Sequence, residues 1–213
     1  MLFNFFEKLT LPFPKEEVTQ PPKGLWAFCR HYTRGFGLPL IFLSFSSAAL
    51  AVLEVTLFGF MGTLVDWLAV RDPASLFVEE RWTLIGMTLT LIVLMPLLTL
   101  VRTLVLNQTL LGNYPMSIRW LAHRYLLSQS VSFYQNDFAG RIATKVMQTA
   151  LAIRESVMKL LDVMVFVIVY FISMVVLVAQ SDIRLMIPML VWFVGYLALQ
   201  VYFVPRLKRV ATE

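Results

Sequence analysis

The chain has 213 residues, of which 59% are apolar and only 15% charged, and its mean hydropathy is +0.75. A water-soluble domain carries about a quarter charged residues and could not bury this much apolar surface, so the lipid bilayer is the expected partner. The net charge of +5 suits a membrane protein whose basic residues gather on the cytoplasmic side. No basic stripe carries interleaved stacking aromatics, so no nucleic acid is expected. Cys29 is the single cysteine and makes no internal disulfide, and His31 and His123 lie too far apart in sequence to suggest a metal centre.

Residues 1–9 are apolar but lack a basic n-region and a small-residue cleavage site, so no cleavable signal peptide is expected. Phe3, Phe5, Phe6 and Leu9 either lie on the membrane surface or belong to a floppy tail. Pro12, Pro14, Pro21 and Pro22 block helix formation, which makes residues 1–22 a tail with a proline-rich linker. Residues 23–36 mix Trp26, Phe28 and Tyr32 with Lys23, Arg30 and Arg34, as in a short elbow helix lying in the cytoplasmic headgroup layer. Residues 37–213 read as a transmembrane unit with spans near 38–66, 82–106, 161–179 and 183–205.

Span one has Pro39 in its first turn, where a missing N–H costs little, and Glu54 as its interior charge. Pro96 is expected to kink span two. That span then becomes polar through Arg102, Asn107, Gln108 and Asn113 while still reading as helix. Beyond it, Ile142, Val146, Ala150, Ile153, Val157 and Leu160 recur every three or four residues, with Arg141, Lys145, Arg154 and Lys159 on other faces. This is an amphipathic helix packed on partners outside the membrane, and it runs unbroken into span three. Gln180, Ser181 and Asp182 make a tight connection to span four, which Arg206, Lys208 and Arg209 follow. Basic residues cluster before span one, between spans two and three, and after span four, so the N-terminus is expected in the cytoplasm.

The segment Ser132-Phe133-Tyr134-Gln135-Asn136-Asp137-Phe138-Ala139-Gly140-Arg141-Ile142 resembles the first intracellular loop of exporter-type ABC transporters: two aromatics, a polar turn, then Gly-Arg opening a long helix. Ser132 and Gln135 have capping-box spacing, and Asp137 can cap the next helix. The resemblance extends over nearly the whole chain through the order of surface helix, spans and long cytoplasmic hairpin. It implies an all-α polytopic membrane helix bundle, the N-terminal part of a six-span transmembrane domain of which four spans are present. It implies that Phe133, Tyr134, Gln135, Asn136, Asp137, Phe138, Gly140 and Arg141 couple to an ATP-binding domain. That domain would be a missing part of the same chain or a separate subunit. It further implies a homo- or heterodimer with a second transmembrane half, in the inner (cytoplasmic) membrane. The sequence departs from the family at Gln148 and Thr149, where an acid is common, and ends at Glu213 where a second cytoplasmic extension would begin.

No stretch matches the G-x-x-x-x-G-K-[ST] phosphate loop, so the chain itself is not expected to be an enzyme or to hold a cofactor; ATP and Mg belong on the absent ATPase domain. Glu54 is either a cavity contact for a cationic substrate or a structural partner of another helix, and Arg102 either serves the same cavity, pairs with Glu54, or snorkels to headgroups. Asp66 and Asp162 read as solvated or capping residues near span ends, and Asn107, Gln108 and Gln200 as cavity lining or helix bridges. Phe58, Phe60, Met61, Met95, Tyr170, Met174, Trp192 and Tyr196 could form an adaptable apolar cavity, or serve packing and lipid contact. Three functions remain open: an exporter half moving a hydrophobic or amphipathic substrate, a non-transporting membrane partner, and a proton-coupled relative without a motor.

Overall fold

The computed structural model describes residues 6–15, 19–70, 77–136 and 139–210, and no strand occurs among them. A short helix, α1 (Leu25–Tyr32), precedes the first long one, α2 (Gly37–Val70). Between them Gly35 takes a left-handed backbone with φ 86°, which a side-chain-bearing residue would resist, and this turns the chain from one helix into the next. The other long helices are α3 (Arg81–Leu127), α5 (Gly140–Ser181) and α6 (Ile183–Leu207), with the short α4 (Val131–Asn136) between α3 and α5. All four long helices are long and apolar enough to cross a membrane. At 47 residues, α3 reaches about 70 Å, more than twice a hydrocarbon core.

Three stretches of these helices widen into π turns. The first, Thr90–Leu94, stands just before Pro96, and the N–H of Met95 bonds back to the carbonyl of Thr90, five residues earlier. Proline has no N–H to donate, and its ring crowds the carbonyl one turn back; the wider turn relieves both. The second, Val105–Leu111, and the third, Lys159–Met164, contain no proline. Both present carbonyls to other segments: Thr10 Oγ1 donates to Thr109 O at 3.3 Å, and Ser44 Oγ donates to Leu161 O at 2.7 Å. At the far end of α5, Asp182 turns the chain by accepting the Arg184 N–H at 2.8 Å, which caps the start of α6.

The buried core does not fill the middle of the bundle. It gathers where α1, the start of α2, the middle of α3 and the amphipathic half of α5 meet: Tyr32, Phe36, Leu40, Leu43, Val105, Leu110, Tyr114, Ile118, Ala150 and Ile153. The Tyr114 hydroxyl lies 2.8 Å from Thr33 Oγ1, tying α3 to the end of α1. Burial, and then the nearby Tyr125, raise the Tyr32 pKa above its usual value, so its hydroxyl stays neutral. Ile142, Ala150 and Ile153 are buried, as the helical stripe requires, while Leu160 on the same stripe is 47% exposed. In their most apolar stretches α3, α5 and α6 have no buried residue. Apolar surface of this extent persists only where lipid or further helices cover it. Contact of α6 with the rest is slight and includes a Phe171–Phe193 stack at 4.2 Å.

A polar node joins three of the four long helices at one level. Arg102 Nη2 of α3 lies 2.6 Å from Asp162 Oδ1 of α5. Ser47 of α2 donates to the same carboxylate oxygen and accepts from Arg102 Nε at 3.2 Å. The two charged side chains are 24% and 15% exposed, so the pair is largely sheltered. The expected reading of Asp162 as a solvated or capping residue gives way here: the π turn carries it to face Arg102. Removing one partner of a sheltered pair strands the other charge, so Asp162→Ala should cost about 3 kcal/mol. Thermal unfolding of the full-length protein in lipid nanodiscs would show this as a lowered midpoint, partly restored when Arg102→Leu accompanies it; an unchanged midpoint for Asp162→Ala removes the node from the list of what holds the bundle. Tyr114→Phe keeps the ring and loses the hydroxyl contact, for an expected cost of about 1 kcal/mol in the same assay.

Candidate functional site

At the end of the bundle far from the α2–α3 connection, the tip between α3 and α5 is built by helix capping. The last carbonyls of α3 have no intrahelical donors. Tyr125 O accepts from Ser128 Oγ at 2.7 Å and from Gln129 Nε2 at 3.2 Å, and Leu126 O accepts from Tyr134 OH at 2.6 Å. The short α4 starts at Val131, so Ser132 falls in its first turn and pairs with Ser130 Oγ at 2.8 Å rather than capping it. Phe133 and Tyr134 meet edge to face at 5.3 Å and are each 39% exposed. Gln135 and Asn136 end α4. Asp137 and Phe138 lie outside the described residues. Gly140 and Arg141 open the long run of α5, where the Gly140 carbonyl accepts from Thr144 Oγ1 at 2.9 Å and the Arg141 side chain is exposed. The tip therefore offers two half-covered aromatics, one of them tied to α3 through its hydroxyl, flanked by the exposed Leu127 and Val131. The sequence reading did not single out those two; their signal was a pair of apolar residues flanking the polar Ser128–Ser130 turn.

Glu54 and Arg102 are not brought together. Glu54 lies on the same face of α2 as Ser47 but seven residues, or about 10 Å, further along the axis. Among the described residues none hydrogen-bonds to its half-buried carboxylate, whereas Arg102 is committed to Asp162 and Ser47. Depth arithmetic could have found that partner. Counted from the ends of their helices at Arg81 and Ser181, Arg102 and Asp162 both lie about 30 Å in. Beyond Glu54, an open cavity of about 770 Å³ lies alongside the contact of α2 with α5, where Gly59 faces Leu177; its lining includes Val55, Phe58, Phe60, Ile172 and Leu177, with Thr56, Thr63, Asp66, Ser173, Gln180 and Ser181 as polar groups. Asn107 and Gln200 bridge no helices: they bond within their own, to Thr103 O at 2.9 Å and Tyr196 OH at 2.8 Å.

The N-terminal segment, read from sequence as a tail or surface strip, is fastened to α3. Thr109 Oγ1 donates to Phe6 O at 2.8 Å, and Asn113 Nδ2 reaches Glu7 O at 3.0 Å and Thr10 Oγ1 at 3.1 Å. Thr10 is buried. Further along, Trp120 Nε1 donates to Pro14 O at 3.2 Å while its ring meets Phe13 edge on at 5.3 Å. Thr109, Asn113 and Trp120 of α3 thus serve as anchors for the N-terminal segment.

Among the described residues, no group of three or more His, Cys, Asp or Glu side chains is placed to hold a metal ion. No protein-family profile matches the chain. No solved structure matches it. A protein of Haemophilus influenzae (strain ATCC 51907 / DSM 11121 / KW20 / Rd), named "Uncharacterized ABC transporter ATP-binding protein", is 39% identical to it over 210 residues, which is 99% of this chain. The chain spans about a third (34%) of the length of that curated relative. With four apolar helices of spanning length and this identity along nearly every residue, the chain is a multi-pass membrane homologue of part of an ABC transporter protein.

Proposed function

We propose that the chain is the membrane part of an ATP-driven exporter for a hydrophobic or amphipathic substrate, working in the inner membrane with its N-terminus in the cytoplasm. The observation that carries this reading is the paired extension of α3 and α5 beyond their apolar stretches, ending in a rigidly capped aromatic tip. Such a tip is a lever: force applied to Phe133 and Tyr134 is transmitted along two packed helices to the Arg102–Asp162 node and to the cavity beyond it. An ATPase domain, in the remainder of the same protein or on another subunit, would hold ATP and Mg and bear on this tip. A second transmembrane half would close the apolar faces that α3, α5 and α6 leave uncovered.

Within this reading, Phe133, Tyr134, Gln135, Asn136, Asp137, Phe138, Gly140 and Arg141 form the coupling segment, and Glu54, next in the chain to the cavity-lining Val55 though not itself in the lining, is the charged contact for a cationic substrate. In the full-length protein, Phe133→Ala with Tyr134→Ala should lower transport about tenfold at an unchanged basal ATPase rate, because a docking pair of aromatics is lost and the motor is not. Transport that stays at the wild-type rate overturns the coupling role. Glu54→Gln should weaken transport of a cationic substrate about tenfold and leave a neutral one unaffected, as expected for losing one charged contact. Measuring both substrates in proteoliposomes with and without ATP also separates an ATP-driven carrier from a proton-driven one, which would work without the nucleotide.

A further inference from the structure

A second hollow lies at the other side of the core, between α1 and the π turn of α5. Its volume is about 340 Å³, and its walls include Trp26, Cys29, Val157, Leu160 and Leu161, with Arg30 and Arg34 at its edge. Among the described residues, no carboxylate lines it. Arg30 and Arg34 are both exposed and have no hydrogen-bond or ion-pair partner among the described residues. Leu160 is 47% exposed although it continues the apolar stripe of α5, and Trp26 is 72% exposed. Among the described residues, the hollow thus joins uncovered apolar side chains to two guanidinium groups without a partner.

Its level along the bundle says what fits there. Leu161 adjoins Asp162, and from Val163 to Ala179 α5 carries no charge at all, while the residues before it are amphipathic. The hollow therefore stands where apolar helix gives way to polar helix, which is where phospholipid headgroups lie. Guanidinium groups bind phosphate oxygens through paired N–H donors, and an acyl chain fits the leucine and valine wall. A free phosphate would leave that wall uncovered, and an apolar peptide would leave both arginines unpaired. We infer that this hollow is a binding site for one anionic phospholipid, its phosphate on Arg30 and Arg34 and its upper acyl chain along Val157, Leu160 and Leu161. The site needs the chain to be a membrane protein but does not depend on transport or its direction.

Cys29 in the wall supplies the readout. In the full-length protein, purified in neutral detergent, maleimide labelling of the Cys29 peptide is followed by mass spectrometry. Titrations use phosphatidylglycerol, phosphatidylcholine with the same acyl chains, or inorganic phosphate. Phosphatidylglycerol should slow labelling, and the other two should not. At about fivefold in affinity per basic residue, Arg30→Gln with Arg34→Gln should weaken that protection on the order of twentyfold. Arg30→Lys with Arg34→Lys should keep most of it, which shows that the site still folds around two cations. Arg81→Gln with Arg184→Gln, removing two charges from the opposite end of the bundle, should leave it unchanged. Equal protection by phosphatidylcholine, protection by phosphate alone, or full protection retained in the Arg30→Gln, Arg34→Gln variant would each overturn the proposal. So would a Cys29 that resists labelling without added lipid after exhaustive delipidation, since another segment would then fill the hollow.

Discussion

The Arg102–Asp162 pair, with Ser47 bonded to both, is the contact on which the arrangement of the long helices depends. Helices that are apolar on every side gain little by exchanging lipid for one another, so their apolar faces do not fix who packs against whom. A sheltered ion pair does, because any other rotation or depth leaves a charge without a partner. Here it joins α2, α3 and α5 at one level. The fourth long helix has no part in it and touches little beyond α5.

The π turns give that contact its geometry. Each adds a residue to one turn of helix and so rotates everything beyond it. The one near Pro96 answers a local fault in the ladder. Those at Val105–Leu111 and Lys159–Met164 coincide with bonds from other segments, Thr10 to Thr109 and Ser44 to Leu161. A carbonyl turned out of the ladder becomes an acceptor for a neighbouring hydroxyl. The widened turn and the tertiary bond therefore support each other. This also accounts for Leu160: it follows the amphipathic stripe in sequence, but it sits inside the widened turn, so the stripe rotates away from its partner helix there.

Both ends of α3 beyond the apolar stretch are finished by side chains acting on backbone groups. Thr109, Asn113 and Trp120 hold the N-terminal segment through its backbone carbonyls, and Tyr134 closes the last turn from across the tip. The result is an amphipathic arm, α3 against α5, with Tyr134 of its tip bonded to the last turn of α3. That bond matters to the proposed lever, since a loose tip would absorb a push instead of passing it on.

The four long helices, the continuous run of α5 from polar to apolar and the buried Ile142–Ala150–Ile153 stripe were legible in the sequence. Hydropathy and the helical period are local properties, repeated over enough residues to outweigh noise. The resemblance to ABC transporters was legible for the same reason, as an order of elements plus a short aromatic and Gly-Arg motif. What Arg102 pairs with and where the N-terminal segment lies were not. These depend on the rotation and depth of one helix against another, and a single residue added to a turn, as in each π turn, changes the rotation by about 100° without leaving a mark in composition. The sequence by itself determined that the chain is a membrane bundle of four long helices. Only the tertiary structure decided that Asp162, not Glu54, neutralises Arg102, because charge pairing in a bundle is settled by depth and facing together.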